Sequence, residues 1–163
     1  MKTKKLAECA VLAALAFGLS YIELLMPLPT IPGAKLGLAN LAVLIALYRI
    51  GFSGAAAVSG VRILLSWLLF GNFTALVYST CGAVLSLLVM YLLVKSKLLS
   101  CVTVSAVGGA CHNIGQIIAA CFMLSTSAAL SYLPYLVILG VLFGLVIGVL
   151  VKAILKVVSK KRT

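Results

Sequence analysis

Apolar residues fall into six runs, covering residues 6–26, 36–50, 54–70, 73–94, 102–124 and 133–151. A bilayer core of about 30 Å takes about 20 apolar residues in a helix. Each run therefore predicts a membrane-crossing helix, although the second is short for a full span. The breaks between them carry the expected punctuation. Pro27, Pro29, Pro32 and Gly33 stop the first helix, because proline removes a backbone donor and clashes with the preceding turn. Gly51 and Ser53 separate the second run from the third, Gly71 and Asn72 the third from the fourth, and Ser125–Ser127 precede the sixth. The predicted fold class is all-α: a single polytopic six-helix transmembrane domain over residues 1–163.

Composition sharpens this picture. Of 163 residues, 64% are apolar and only 9% are charged, against roughly a quarter charged in an ordinary soluble domain. So few polar residues cannot cover a surface in water. A soluble globule and a disordered chain are excluded, and the lipid bilayer is the expected surrounding.

The net charge of +11 reads as a topology signal and not as a nucleic-acid surface. With the N-terminus in the cytoplasm, eleven of the thirteen basic residues fall on cytoplasmic segments: Lys2, Lys4, Lys5, Arg49, Lys95, Lys97, Lys152, Lys156, Lys160, Lys161 and Arg162. The outer side holds only Lys35, and Arg62 lies inside the third run. Basic residues concentrate on the cytoplasmic side of membrane proteins. The expected location is thus the plasma membrane, multi-pass, with both termini cytoplasmic. The start resembles a secretory signal, but Glu8 interrupts the early run and the apolar stretch continues ten residues past Ala16. We read an uncleaved first helix.

The acidic residues are two, Glu8 and Glu23, with no Asp. Clustered carboxylates that hold Mg²⁺ on a diphosphate, or the carboxylate pair of a glycosidase, are therefore missing. No phosphate-binding G-x-x-x-x-G-K-[ST] run occurs. The expectation is no enzyme, no cofactor and no metal, with any uphill transport energised by a partner or an ion gradient. Cys9, Cys81, Cys101, Cys111 and Cys121 are odd in number and lack C-x-x-C spacing, which suits small packing residues in a reduced setting.

Polar groups inside a bilayer are expensive, and each calls for a reason. Arg62 is the costliest; it either snorkels or pairs with Glu23, or binds an anionic substrate group through its planar fork. Glu23 is either an interfacial charge or an acceptor for substrate N–H groups. Residues 27–40 combine stiffening prolines with Gly33 and Gly37, and include Lys35 and Asn40; we read them as a ligand-facing loop. The run Gly108-Gly109-Ala110-Cys111-His112-Asn113-Ile114-Gly115-Gln116 puts three hydrogen-bonding side chains in five residues of an apolar helix. Interhelical polar contacts are the bland explanation; a pocket wall is the one we prefer. Substrate-binding candidates are therefore Glu23, Lys35, Asn40, Arg62, His112, Asn113 and Gln116, expected to line one cavity in the outer half of the bundle.

Two rows of small residues stand out. Gly140, Gly144 and Gly148 recur every four residues on the sixth helix, a pattern for close helix packing. Ala10, Ala14 and Gly18 do so on the first helix, facing either a close neighbouring helix or a partner subunit.

The run Gly33-Ala34-Lys35-Leu36-Gly37-Leu38-Ala39-Asn40-Leu41, with His112-Asn113 and Gln116 later, resembles the Gx transporter family, whose members are often labelled heptaprenyl diphosphate synthase component I. Size, helix number and the expected cytoplasmic N-terminus are also similar to the substrate-binding S component of energy-coupling factor transporters. That resemblance implies vitamin binding near the outer face, with the loop after helix 1 as a lid. It also implies contact between the Ala10/Ala14 row and a membrane coupling subunit with ATPases. The family is further associated with flavin supply to extracytoplasmic electron transfer. The other role implied is a non-catalytic membrane accessory subunit of heptaprenyl diphosphate synthase, since prenyl synthases resembling the known fold carry Mg²⁺-holding aspartates and this chain has none.

Overall fold

The computed structural model describes residues 2–25, 37–70, 73–125 and 127–160. These form α1 (Lys2–Leu25), α2 (Asn40–Arg49), α3 (Phe52–Phe70), α4 (Phe73–Ser96), α5 (Cys101–Leu124), a 3-10 helix (Ser127–Tyr132) and α6 (Leu133–Lys160). There is no strand among the described residues. The protein is an all-helical membrane bundle.

Five of the helices are long and apolar enough to cross a membrane; α2 is not. Its ten residues span only about 15 Å at 1.5 Å per residue. Six full spans were expected, and α2 departs from that for two reasons. Gly37 adopts φ +85, a left-handed turn that delays the helix to Asn40 instead of Leu36. Burial then removes the need for full length. Asn40 and every residue from Ala42 to Leu47 are buried, because α2 is packed against α1, α3, α6 and α4. A helix apolar all round belongs in the interior, and one covered by protein need not match the lipid thickness. Leu44, Ala46 and Ala42 thus sit at the centre of a core that also takes Leu12, Ala16, Val58, Leu87, Met90, Val104 and Ile147.

The helices alternate in direction. Along α1 and α2, Glu8 pairs with Arg49 at one end and Glu23 meets Leu38 at the other. Along α4 and α5, Ser86 Oγ donates to Gly108 O at 2.8 Å, while Gly82 lies against His112. Along α5 and α6, Gly109 meets Gly140 and Val102 meets Gly148. α3 runs parallel to α1, with Phe70 stacked on both Phe17 and Tyr21.

One end of the bundle collects Glu8 with Arg49, Phe52 against Tyr91, and Tyr48 near Cys101, with Lys152 close enough to act on that thiol through its charge. The start of α1, the α2–α3 and α4–α5 connections and the far part of α6 therefore share this end. The basic residues that the sequence assigns to one side are gathered there, among the described residues.

The glycine row of α6 packs as expected. A Cβ added at Gly140 would lie 2.6 Å from Gly109 O, one at Gly144 2.6 Å from Ser105 O, and one at Gly148 2.6 Å from Val102 Cα. A Cβ added at Gly115 would lie 2.7 Å from Cys81 O, on the opposite side of α5. α5 is thereby clamped between α4 and α6, and the backbones come near enough for dispersion contacts to hold them without a hydrophobic driving force. All five cysteines are free.

Candidate binding site

Arg62 stands midway along α3 and is 2% exposed. Its Nη1 donates to Ser20 Oγ of α1 at 3.2 Å. Its Nε and Nη2 are buried and have no hydrogen-bond partner. Glu23, one turn beyond Ser20 on α1, is near enough to act on Arg62 through its charge. Both suggested explanations of Arg62 thus meet part of the geometry: Glu23 offsets the charge, yet the direct contact is with a serine. Each unmet N–H of a buried charged group forfeits about 1–3 kcal/mol or more, so this edge of the guanidinium is a costly one for the protein alone.

Ser59, Arg62 and Ser66 are spaced three and four apart, which puts them on one face of α3. Ser59 is buried. Ser66 Oγ is buried and, like the Arg62 edge, has no partner. Two consecutive turns therefore present unfilled polar atoms on the same stripe. The sequence reading missed Ser20 and Ser66. Four-residue spacing from Arg62 was the available signal for Ser66, while nothing local marks Ser20, which lies on another helix; serine is also common in membrane helices as interhelical glue.

Glu23 has a structural task. Its Oε1 accepts the Leu38 N–H at 2.7 Å, just ahead of α2, whose own N-cap Ala39 offers no side-chain acceptor. The first amides of a helix lack internal partners and its N-terminus attracts negative charge. Glu23 holds the turn ahead of the N-cap through Leu38 and brings its charge to that terminus from a different helix. Asn40 is buried under the same turn: its N–H donates to Gly37 O at 2.9 Å, and its amide nitrogen lies 3.3 Å from where a Gly37 Cβ would be. Glu23 thus meets the turn that leads into Asn40 and acts through its charge on Arg62. Lys35, also a candidate, lies outside the described residues.

The α5 candidates form a second group. His112 and Gln116 are 2% and 3% exposed and face Gly82 of α4. Gln116 Nε2 donates to His112 Nε2 at 3.2 Å, and Gln116 Oε1 is buried without a partner. Asn113 points to the other side, donating to Leu136 O of α6 at 2.5 Å. At about 1.5 Å per residue, Arg62 stands ~15 Å along α3 and His112 ~16 Å along α5 from the basic end. The depths match, as the sequence suggests. The azimuths do not coincide: α5 packs on α4 and α6, with no comparable packing against α1 or α3 among the described residues.

The other small-residue row is outward-facing. Ala10, Ala14 and Gly18 are all exposed, and a Cβ on Gly18 would have nothing within 4 Å. Of the two neighbours expected for this row, no close helix of the same bundle meets it among the described residues. No group of three metal-ligating side chains occurs among the described residues.

These features define a multi-pass helical membrane protein that keeps charged and hydrogen-bonding groups inside its bundle. The chain belongs to the heptaprenyl diphosphate synthase component I family, whose model matches residues 12–154. No curated protein and no solved structure matches it.

Proposed function

We propose that the protein is the membrane-embedded substrate-binding subunit of a small-molecule uptake transporter, with energy supplied by a partner. The observation that carries this reading is Arg62: a buried cation in a membrane bundle, fixed through one nitrogen and unfilled at two. A purely structural arginine would be expected to have its fork paired, given the cost of a charge at that depth. Ser20 and Glu23 bring further polar chemistry to it, and Ser66 lies one turn along the same face. The substrate is vitamin-like, with flavins among the class, and the role is non-catalytic. Chemistry on diphosphates is disfavoured because the chain has no Asp, and because its two carboxylates already contact Arg49 and the Leu38 amide.

The exposed Ala10/Ala14/Gly18 row supports docking of a membrane coupling subunit with ATPases, as in energy-coupling factor transporters. In this reading the basic end is cytoplasmic, in the plasma membrane, and the Glu23 end faces outward. The decisive experiment is mass spectrometry of small molecules retained by the purified protein. A specific retained molecule supports the reading, and an empty protein under gentle extraction overturns it.

A second reading has the family description in its favour: a non-catalytic membrane accessory subunit of heptaprenyl diphosphate synthase. Stimulation of a soluble prenyl synthase by the chain would favour it.

A further inference from the structure

The three nitrogens of the Arg62 guanidinium are not equivalent. Nη1 is committed to Ser20. The two left over, Nε and Nη2, are the pair whose N–H bonds run parallel along one side of the planar group. That side is the edge that matches a carboxylate or phosphate with two simultaneous hydrogen bonds. A single carbonyl oxygen meets both only through bent hydrogen bonds, whereas two oxygens of an oxyanion take one each in line. Ser66 Oγ, one turn further along the same face of α3, is a third buried polar atom without a partner.

We propose that Arg62 and Ser66 grip an oxyanion, with Arg62 engaging two of its oxygens through the Nε–Nη2 edge and Ser66 donating to it. This deepens the binding-subunit reading and rests on it: the substrate class is a small molecule bearing a carboxylate or phosphate. Ser20 is a positioning residue. By holding Nη1 it fixes the rotation of the guanidinium plane and aims the free edge.

The test uses the full chain purified in mild detergent. Retained molecules are extracted and identified from the wild type and from Arg62→Lys, Ser66→Ala and Ser20→Ala. Thermal melting checks that each variant is folded. The expected wild-type result is a molecule with a carboxylate, detected by esterification, or a phosphate, detected by phosphatase release. Arg62→Lys keeps the charge but has no planar edge, and should retain about tenfold less or lower, the equivalent of one good charged hydrogen bond. Ser66→Ala should lose several-fold and stands in if Arg62→Lys does not fold. Ser20→Ala should lose less than either.

A retained molecule without an oxyanion overturns the inference and leaves the binding-subunit reading intact. So does equal retention by wild type, Arg62→Lys and Ser66→Ala. A retained molecule whose fragments carry acyl chains is a lipid headgroup in the same grip: the oxyanion site then stands and the transport reading falls. An empty wild type overturns both.

Discussion

Glu23 on α1 holds the turn that leads into a helix it does not belong to: its Oε1 accepts the backbone N–H of Leu38 at 2.7 Å, one residue ahead of the N-cap of α2. Fifteen residues earlier on the same helix, Glu8 pairs with Arg49 at the other end of α2. Both acidic residues of the chain thus tie the short central helix to α1, one at each end. Their separation of fifteen residues is about 22 Å at 1.5 Å per residue, enough to bracket the ten helical residues of α2 with their flanking turns.

From this arrangement, Glu23→Ala should lower stability by about 1–3 kcal/mol, the cost of leaving a part-buried donor unmet. Glu23→Gln keeps an acceptor and should lose less. Melting curves in detergent for the two variants decide the point: equal losses would mean that charge alone, and not the Leu38 hydrogen bond, is what Glu23 supplies.

Two glycines at comparable places in the sequence should respond in opposite ways. Gly144→Ala puts a methyl 2.6 Å from Ser105 O, where only backbone can move aside, and should cost about 1–3 kcal/mol or more through strain between α5 and α6. Gly18→Ala meets nothing within 4 Å and should be neutral or slightly stabilising, because alanine is the better helix former. A tolerant Gly144→Ala would show that the α5–α6 contact is looser than described.

Ala14→Trp should leave the isolated protein as stable as the wild type, since Ala14 is exposed. If the row docks a coupling subunit, the same substitution should abolish co-purification with that partner and uptake. Intact assembly and intact transport would place the row against lipid.

Labelling from outside intact cells should reach a cysteine substituted at Lys35 and not a tag added after Thr163. The expectation comes from the eleven-to-one partition of basic residues between the two sides and from the gathering of the α2–α3 and α4–α5 connections at the Arg49 end. Reaction of both positions from the same side would refute the even number of crossings.

Much of the architecture was readable one helix at a time. The boundaries of α3, α4 and α5 fall within two residues of the apolar runs, because length and hydrophobicity are properties of a segment alone. Charge segregation was equally local. The Gly140/Gly144/Gly148 row signalled a tight contact, although not its partner in Gly109, Ser105 and Val102. The His112/Gln116 pair and the separate heading of Asn113 also follow from helical spacing, since positions four apart share a face and adjacent positions diverge by about a hundred degrees.

What the sequence by itself determined was therefore the number, place and polarity of the apolar segments and the residues whose burial in a membrane demands a reason. The tertiary structure decided how those segments rotate and stack. It made α2 the covered centre and so freed it from spanning length. It turned the α6 row inward and the α1 row outward, although both look alike as strings. It gave Arg62 a serine as its direct partner in place of Glu23, and set the α5 polar group on a different pair of helices. The physical reason is that helical periodicity specifies which residues share a face, whereas the neighbour that face meets depends on the packing of all six helices together.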